Sequence, residues 1–288
     1  MVSKEKQIEA TKKILKEIKA ETMSGYVKIS LDTERKPNIF ESKFGGVPYI
    51  AKDEKVPVDS KGEQLRLLAQ INFGDISEIT SEYFPKKGLI QFWVLDEDLI
   101  GLDFDEPTKQ DTFRVIYIKD IDETVSEDDV LAKFKNSEDD EESFFPVEGE
   151  FALKFEKKNA PMYSWSYVFG ELFAKKFNAM YPQEENFIDS PYDLDIEIED
   201  VDGIEEFEGS DDSNHQIGGY PSFAQEDPRD GFAEFEDYDT LLLQIDSDMN
   251  GDNTLVTWGD CGIANFFINR EKLKNCDFSD VLYNWDCC

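Results

Sequence analysis

Histidine is almost missing from this chain: His215 is the only one. No histidine set for a metal can therefore be completed, and no serine or cysteine nucleophile motif stands beside a plausible base. Cysteine is scarce as well. Cys261, Cys276, Cys287 and Cys288 make no C-x-x-C pair, and Cys287 and Cys288 are adjacent at the end of the sequence, a poor place for a structural bridge. This usage implies a reduced, cytoplasmic protein without a cysteine zinc site. No apolar run approaches the length of a membrane span, and the first residues lack an apolar core followed by a small-residue cleavage site. Neither a membrane segment nor a secretory signal is expected. Basic residues are the last scarcity: 30 Lys and Arg stand against 65 Asp and Glu, a formal charge of −35. Such a surface repels nucleic acid and anionic lipid and attracts basic proteins, peptides or metal cations. The same charge also serves plain solubility.

What is present is a stretch that occurs twice. Gly45-Gly46-Val47-Pro48-Tyr49 is answered by Gly218-Gly219-Tyr220-Pro221-Ser222. Leu68-Ala69-Gln70-Ile71-Asn72 is answered by Leu242-Leu243-Gln244-Ile245-Asp246, and Gly88-Leu89-Ile90-Gln91-Phe92 by Gly262-Ile263-Ala264-Asn265-Phe266. Three blocks in one order with nearly constant spacing imply an internal duplication.

Between the blocks, residues 3–21 show helical periodicity with lysines crowding the polar face, and docking on the acidic body is its simplest use. Residues 65–72, 89–95, 113–118 and 151–156 read as strands, with 89–95 buried on both faces. Residues 164–180 read as a second helix, carrying Trp165, Val168, Phe169 and Phe173 on its apolar face. Leu194, Ile196 and Ile198 alternate with acids and predict a strand, and a helical turn is expected near Ser279–Tyr283. Residues 121–150, centred on Glu138–Glu142, read as a solvated acidic loop or short helix, and residues 200–214 as an acidic loop. The expected architecture is mainly β (α+β): one domain over 1–288, with an N-terminal helix, a first repeat over about 42–118, a connecting strand and helix over 145–200, and a second repeat over about 215–273.

The residues that could carry function are few. The Gly-Gly-x-Pro turns, with Gly46, Pro48, Gly219 and Pro221, allow either a tight corner or close approach of a ligand backbone. They are not phosphate loops, because no Lys-Ser/Thr follows and the Rossmann spacing is absent. Gln70 and Gln244 are equivalent amides that could bond strand edges or read the main chain of a peptide. His215 precedes the second turn and reads as a hydrogen-bonding loop residue, while Trp258 and Asp260 flank another glycine corner. Asp246, Asp248, Asn250 and Asp252, with Gly251 in sixth place, match the front of a calcium loop, but Thr257 stands where a bidentate Glu is needed. Asn250-Gly251 is also a hairpin signal. No catalytic residue and no cofactor is indicated.

These blocks resemble the YwqG family. The likeness rests on Lys43-Phe44-Gly45-Gly46-Val47-Pro48-Tyr49, Leu68-Ala69-Gln70-Ile71-Asn72, Phe84-Pro85-Lys86-Lys87-Gly88-Leu89-Ile90-Gln91-Phe92 and Gly101-Leu102-Asp103-Phe104-Asp105. It continues through His215-Gln216-Ile217-Gly218-Gly219-Tyr220-Pro221, Gln225-Glu226-Asp227-Pro228-Arg229, Trp258-Gly259-Asp260 and Tyr283-Asn284-Trp285-Asp286. One departure is Lys55-Val56-Pro57, where many members carry Trp-Pro. The resemblance implies a mainly-β roll made by duplication, similar to a domain of programmed cell death protein 2, which acts as a chaperone for a basic ribosomal protein. It also implies that bacterial members act as immunity proteins against toxins. Both are binding roles, so the leading expectation is an acidic module that masks a basic protein or peptide client. A metal-dependent enzyme acting on RNA or a nucleotide, and a calcium-binding module, are the alternatives.

Overall fold

The computed structural model describes residues 2–134, 143–208 and 214–288. The acidic run Glu138–Glu142 therefore lies outside the described residues, as does part of the acidic stretch after residue 200. In chain order the elements are α1 (Lys4–Thr22), β1 (Ser24–Asp32), β2 (Lys43–Gly45), β3 (Arg66–Asn72), α2 (Phe73–Ile76), β4 (Leu89–Val94) and β5 (Phe113–Ile118). There follow α3 (Glu127–Leu131), β6 (Glu150–Ala160), α4 (Tyr167–Met180), β7 (Gln216–Gly218), β8 (Thr240–Asp246), β9 (Asp248–Asn250), β10 (Asn253–Val256), β11 (Ile263–Ile268), α5 (Arg270–Lys274) and β12 (Leu282–Asp286). The chain divides into two compact units, Met1–Gly25 with Lys158–Asp212, and Tyr26–Lys157 with Ser213–Cys288. The division falls within β1 and β6.

The larger unit carries the duplication. Its sheet runs β12-β11-β8-β7-β1-β6-β2-β3-β4-β5. Read inward from either end, the order is the same: β5, β4, β3, β2 answer β12, β11, β8, β7. Each repeat is a short strand after which three longer ones pair antiparallel in sequence. A bulge falls between Leu67 and Ala69 where β3 meets β4, and at the corresponding place between Leu241 and Leu243 where β8 meets β11. Two bulges at equivalent residues bend both halves alike. β4 and β11 are buried along their whole length, as continuous apolar runs require. Phe266 stacks on Tyr283 at 4.5 Å and lies 4.8 Å from Phe92, so the two repeats share one core. Each such buried ring contributes about 1.5–3 kcal/mol relative to exposure.

The smaller unit is helical. α1 buries Gln7, Ala10, Thr11, Ile14, Leu15 and Ile18 on one face. Its lysines meet the acids of the later segment: Lys12 pairs with Asp202 at 2.6 Å, and Lys19 pairs with Glu206. α4 turns Phe169, Phe173 and Phe177 inward, but it starts at Tyr167, and Trp165 and Val168 are exposed.

Two expectations fail. Residues 194–198 are not a strand: Pro191–Asp193, Ile198–Asp200 and Ile204–Phe207 are 3₁₀ turns. The buried positions are Ile188, Pro191, Leu194, Ile198, Val201, Ile204 and Phe207. That spacing is close to three, the repeat of a 3₁₀ helix, and the alternation at Leu194, Ile196 and Ile198 is a fragment of it. Near the end of the chain the helical turn is α5, and residues 282–286 form β12, pairing Phe266 with Tyr283 and Ala264 with Trp285. An apolar core strand outweighs the local helical pattern there.

The glycine corners give the first test. Gly45 has φ +65, and a Cβ there would lie 2.2 Å from the Gly149 carbonyl oxygen; Gly251 has φ +62 and open space. Gly251→Ala should cost only the backbone penalty, about 1 kcal/mol. Gly45→Ala adds a clash with main chain and should cost roughly 3 kcal/mol or more. Urea unfolding of both variants distinguishes them, and equal midpoints would contradict the packing described.

Candidate functional site

Each Gly-Gly-x-Pro corner is held from beneath by buried side-chain amides. The corner turns its backbone out of the sheet, so the residue after proline has an N–H and a carbonyl with no ladder partner. In the first repeat Gln70 Oε1 accepts from Tyr49 N at 2.9 Å, and Gln91 Nε2 donates to Tyr49 O at 2.7 Å. In the second, Gln244 Oε1 accepts from Ser222 N at 2.7 Å, and Asn265 Nδ2 donates to Ser222 O at 2.9 Å. Gln70 Nε2 also reaches the carbonyls of Ile39 and Glu41, both at 2.9 Å, and Gln244 Nε2 reaches that of Asn214 at 2.6 Å. The amides are fully buried and spent on the chain's own backbone.

Two further positions follow the same plan. Lys43, two residues before its glycine pair, donates to Val47 O at 2.8 Å; Gln216 in the second copy donates to Tyr220 O at 2.8 Å. Ser42 Oγ accepts from Asn72 N at 2.8 Å and donates to Asp75 at 2.7 Å. His215 does the same work: Nδ1 accepts from Asp246 N at 3.0 Å, which places the ring proton on Nε2, 3.3 Å from Asp248 Oδ2. His215 is fully buried, with its ring edge-on to Phe44 at 5.2 Å.

The expected site residues therefore separate. Gly46 faces the Glu150 carboxylate, which a Cβ would meet at 2.2 Å. Pro48 is buried, and Gly219 and Pro221 are half-buried beside the second corner. Trp258 is core, 5.9 Å from Trp285, and its indole nitrogen is buried without a partner. Asp260 is exposed and accepts from Cys261 N at 2.8 Å. The calcium-like run is a hairpin: β9 pairs with β10, Asn253 opposite Asn250, and Gly251 turns at φ +62. Asp246 accepts from Asn214 N at 2.8 Å and Asp248 faces His215, while Asn250 and Asp252 are exposed at the tip. Among the described residues no cluster of three metal-ligating side chains occurs.

Sequence reasoning passed over Lys43 and Glu150. The Lys43 ammonium is fully buried, 2.7 Å from Glu150 Oε1, and Lys36 bonds the other oxygen at 3.2 Å. Burial pulls Lys43 below the ordinary lysine value, and the Glu150 carboxylate opposes that pull. A lysine two residues before one glycine pair, matched by Gln216 before the other, was the available signal.

A cleft of about 520 Å³ opens between the repeats, lined by Gln110, Arg114–Tyr117 of β5, Cys276, Phe278 and Ser279. None of the expected site residues lines it, and its only charged lining residue is Arg114. Here β5 faces the segment between α5 and β12. Gln110 spans the gap, accepting from Val115 N at 2.7 Å and donating to Phe278 O at 2.8 Å.

Two measurements check this account. Gln70→Ala strands Tyr49 N and two carbonyls and should cost roughly 3–5 kcal/mol; Gln244→Ala, with fewer bonds to lose, should cost less. Asp246 gives a pH test. Burial lifts its carboxyl above 3.8, against the bond from Asn214. The native state then holds that proton more tightly than the unfolded chain. Its contribution is full below 3.8 and is lost as pH rises through the raised native value. Asp246→Asn should therefore raise the urea midpoint at neutral pH, with the gain fading as pH falls into the carboxylate range.

No curated protein matches this sequence. A model of one protein family does, over residues 42–287, which takes in the whole duplicated region. The chain thus belongs to the family described as domain of unknown function DUF1963.

Proposed function

We propose that this protein is an acidic protein-binding module of the YwqG type, acting in the cytoplasm to mask a basic protein or peptide, in the manner of a chaperone or a toxin-immunity protein. One observation carries the reading: in a chain of net charge −35, the acids of one folded segment are sorted onto its exposed side. From Ile188 to Phe207 the apolar residues point inward at a spacing near three, and the acids between them, Asp189, Asp193, Asp195, Glu197, Glu199 and Asp200 among them, are exposed. Closely set carboxylates on a rigid base raise the local concentration of cations and speed encounter with a basic partner. The same unit exposes Trp165, Phe187 and Tyr192, whose ring faces suit lysine and arginine. The glycine corners present no exposed ligand-reading amides, because Gln70, Gln91, Gln216, Gln244 and Asn265 are buried.

Titration with a lysine- and arginine-rich synthetic peptide tests the reading. Binding should weaken with rising salt, and the triple variant Asp195→Lys, Glu197→Lys, Glu199→Lys should lose affinity about tenfold or more at low salt. Affinity indifferent to both salt and charge reversal would overturn it.

A further inference from the structure

The cysteines are distributed differently in space than in sequence. Cys261 and Cys288 are 27 positions apart, yet their sulfurs lie 3.0 Å from each other, and both are exposed free thiols. The contact is built from both sides. Gly259, at φ +60, leaves room for Cys287: a Cβ there would sit 2.7 Å from the Cys287 sulfur. A Cβ at Gly262 would meet the Asp286 carbonyl oxygen at 2.2 Å. The end of the chain is also tied down on its other side. Asp286 accepts from Gln225 N at 2.7 Å and from Ala224 N at 3.2 Å, and the Gln225 side chain donates to Cys287 O at 2.5 Å. Residues 286 and 287 are thus seated between the second glycine corner's continuation and the Trp258–Gly262 turn, and the Cys288 sulfur lies against Cys261 directly after them.

We propose that Cys261 and Cys288 form a redox-active dithiol that hydrogen peroxide converts to an intramolecular disulfide. One sulfur, as thiolate, attacks a peroxide oxygen; the O–O bond breaks, water leaves, and a sulfenic acid forms. The second sulfur then attacks the first, the S–O bond breaks, and a second water leaves. In sum, two thiols and one peroxide give one disulfide and two waters, with the sulfurs oxidised by two electrons and the peroxide reduced by two. Contact with Cys261 pushes the Cys288 thiol up to about 11, and the sulfenic acid can form on either sulfur of the pair. Cys276 stands apart from the pair, and Cys287 points toward Gly259. The product ties the end of outer strand β12 to the turn before β11, across a loop that contains β11, α5 and β12.

The test uses the full chain, reduced, freed of reductant and treated with one equivalent of hydrogen peroxide. Thiol titration should fall from four to two, and non-reducing peptide mapping should join Cys261 to Cys288. The thermal midpoint should rise on oxidation and return with dithiothreitol. Cys261→Ser and Cys288→Ser should each lose no intramolecular thiol pair under the same treatment, and Cys276→Ser should still lose two. Retention of four thiols, a bond mapped to Cys276 or Cys287, or covalent dimers in place of the internal link would overturn the proposal.

Discussion

A sheet strand that turns a sharp corner strands its own backbone, and this fold solves that problem twice with buried amides. Gly45-Gly46 and Gly218-Gly219 take the chain out of β2 and β7 at positive φ, after which a proline removes one further donor. The next residue, Tyr49 or Ser222, would be left with an unmet N–H and carbonyl inside the protein. A glutamine on the neighbouring strand takes the N–H, and an amide one strand further takes the carbonyl. Because the amides sit in register across the sheet, the corner cannot move without unpairing groups that have no water to turn to. At the second amide the copies differ by one methylene. Gln91 reaches both Tyr49 O and Gln70 Oε1, whereas the shorter Asn265 reaches Ser222 O and leaves its own oxygen buried without a partner. Gln216 Oε1 is likewise unmatched, where Lys43 in the first copy has Glu150. The first copy is the more completely satisfied of the two.

The same accounting explains how so acidic a chain keeps a core. Its carboxylates are kept at the surface by a spacing that alternates them with inward apolar residues, and several are consumed as local caps. Asp129 closes a capping box with Ser126, and Asp193 does so with Ser190. Positive charge is concentrated where it neutralises: the lysines of α1 fall on Asp202 and Glu206. These exposed pairs contribute little stability each, but they bring a basic helix to an acidic segment and fix its register. Lys43 is the costly exception, since burying an ammonium is tolerable only with a carboxylate and a carbonyl at hydrogen-bond distance.

Much of the larger unit was legible in the sequence because its signals are redundant. β4 and β11 are short, continuous apolar runs bounded by glycine, and the blocks around them repeat at constant spacing, so an error in one copy is corrected by the other. The smaller unit offered no second copy. Leu194, Ile196 and Ile198 look like a strand over five residues and like 3₁₀ turns only over twenty, because periods of two and three coincide at short range. The hairpin at Asn250-Gly251 and the calcium loop drew on the same residues, and backbone pairing of Asp248–Asn250 with Asn253–Val256 settles the segment as two strands. What pattern could not supply was the use of each polar side chain. Gln70 and Gln244 are identical in sequence whether they read a peptide or hold a corner; the choice lies in what faces them across the sheet. His215 was read as a hydrogen-bonding loop residue, and its counterpart proves to be Ser42, a correspondence that only the shared backbone donor at Asn72 and Asp246 makes visible.

Duplication alone leaves a sheet with two like ends, and like ends are a liability, since each presents unpaired backbone groups. The repeats are unequal where that matters. The connection from β4 to β5, absent in this form from the second copy, meets β12 and offers its carbonyls: Pro107 O to Tyr283 N at 3.0 Å, Ile100 O to the Tyr283 hydroxyl at 2.9 Å, and Leu99 O to the Trp285 indole at 2.6 Å. Ile100 is held at φ +51 to do so, a strained conformation for a branched residue. Gln110 from the same connection spans to Phe278, and Phe113 packs on Tyr283 at 5.1 Å. The seam is therefore closed by side chains and loop carbonyls instead of a strand ladder. A symmetric pair of halves could not have done this, because the loop that closes the seam must come from one side only. The divergence between the copies is thus a requirement of closure, and the unpaired stretch of β5 beside the cleft is where that closure stops.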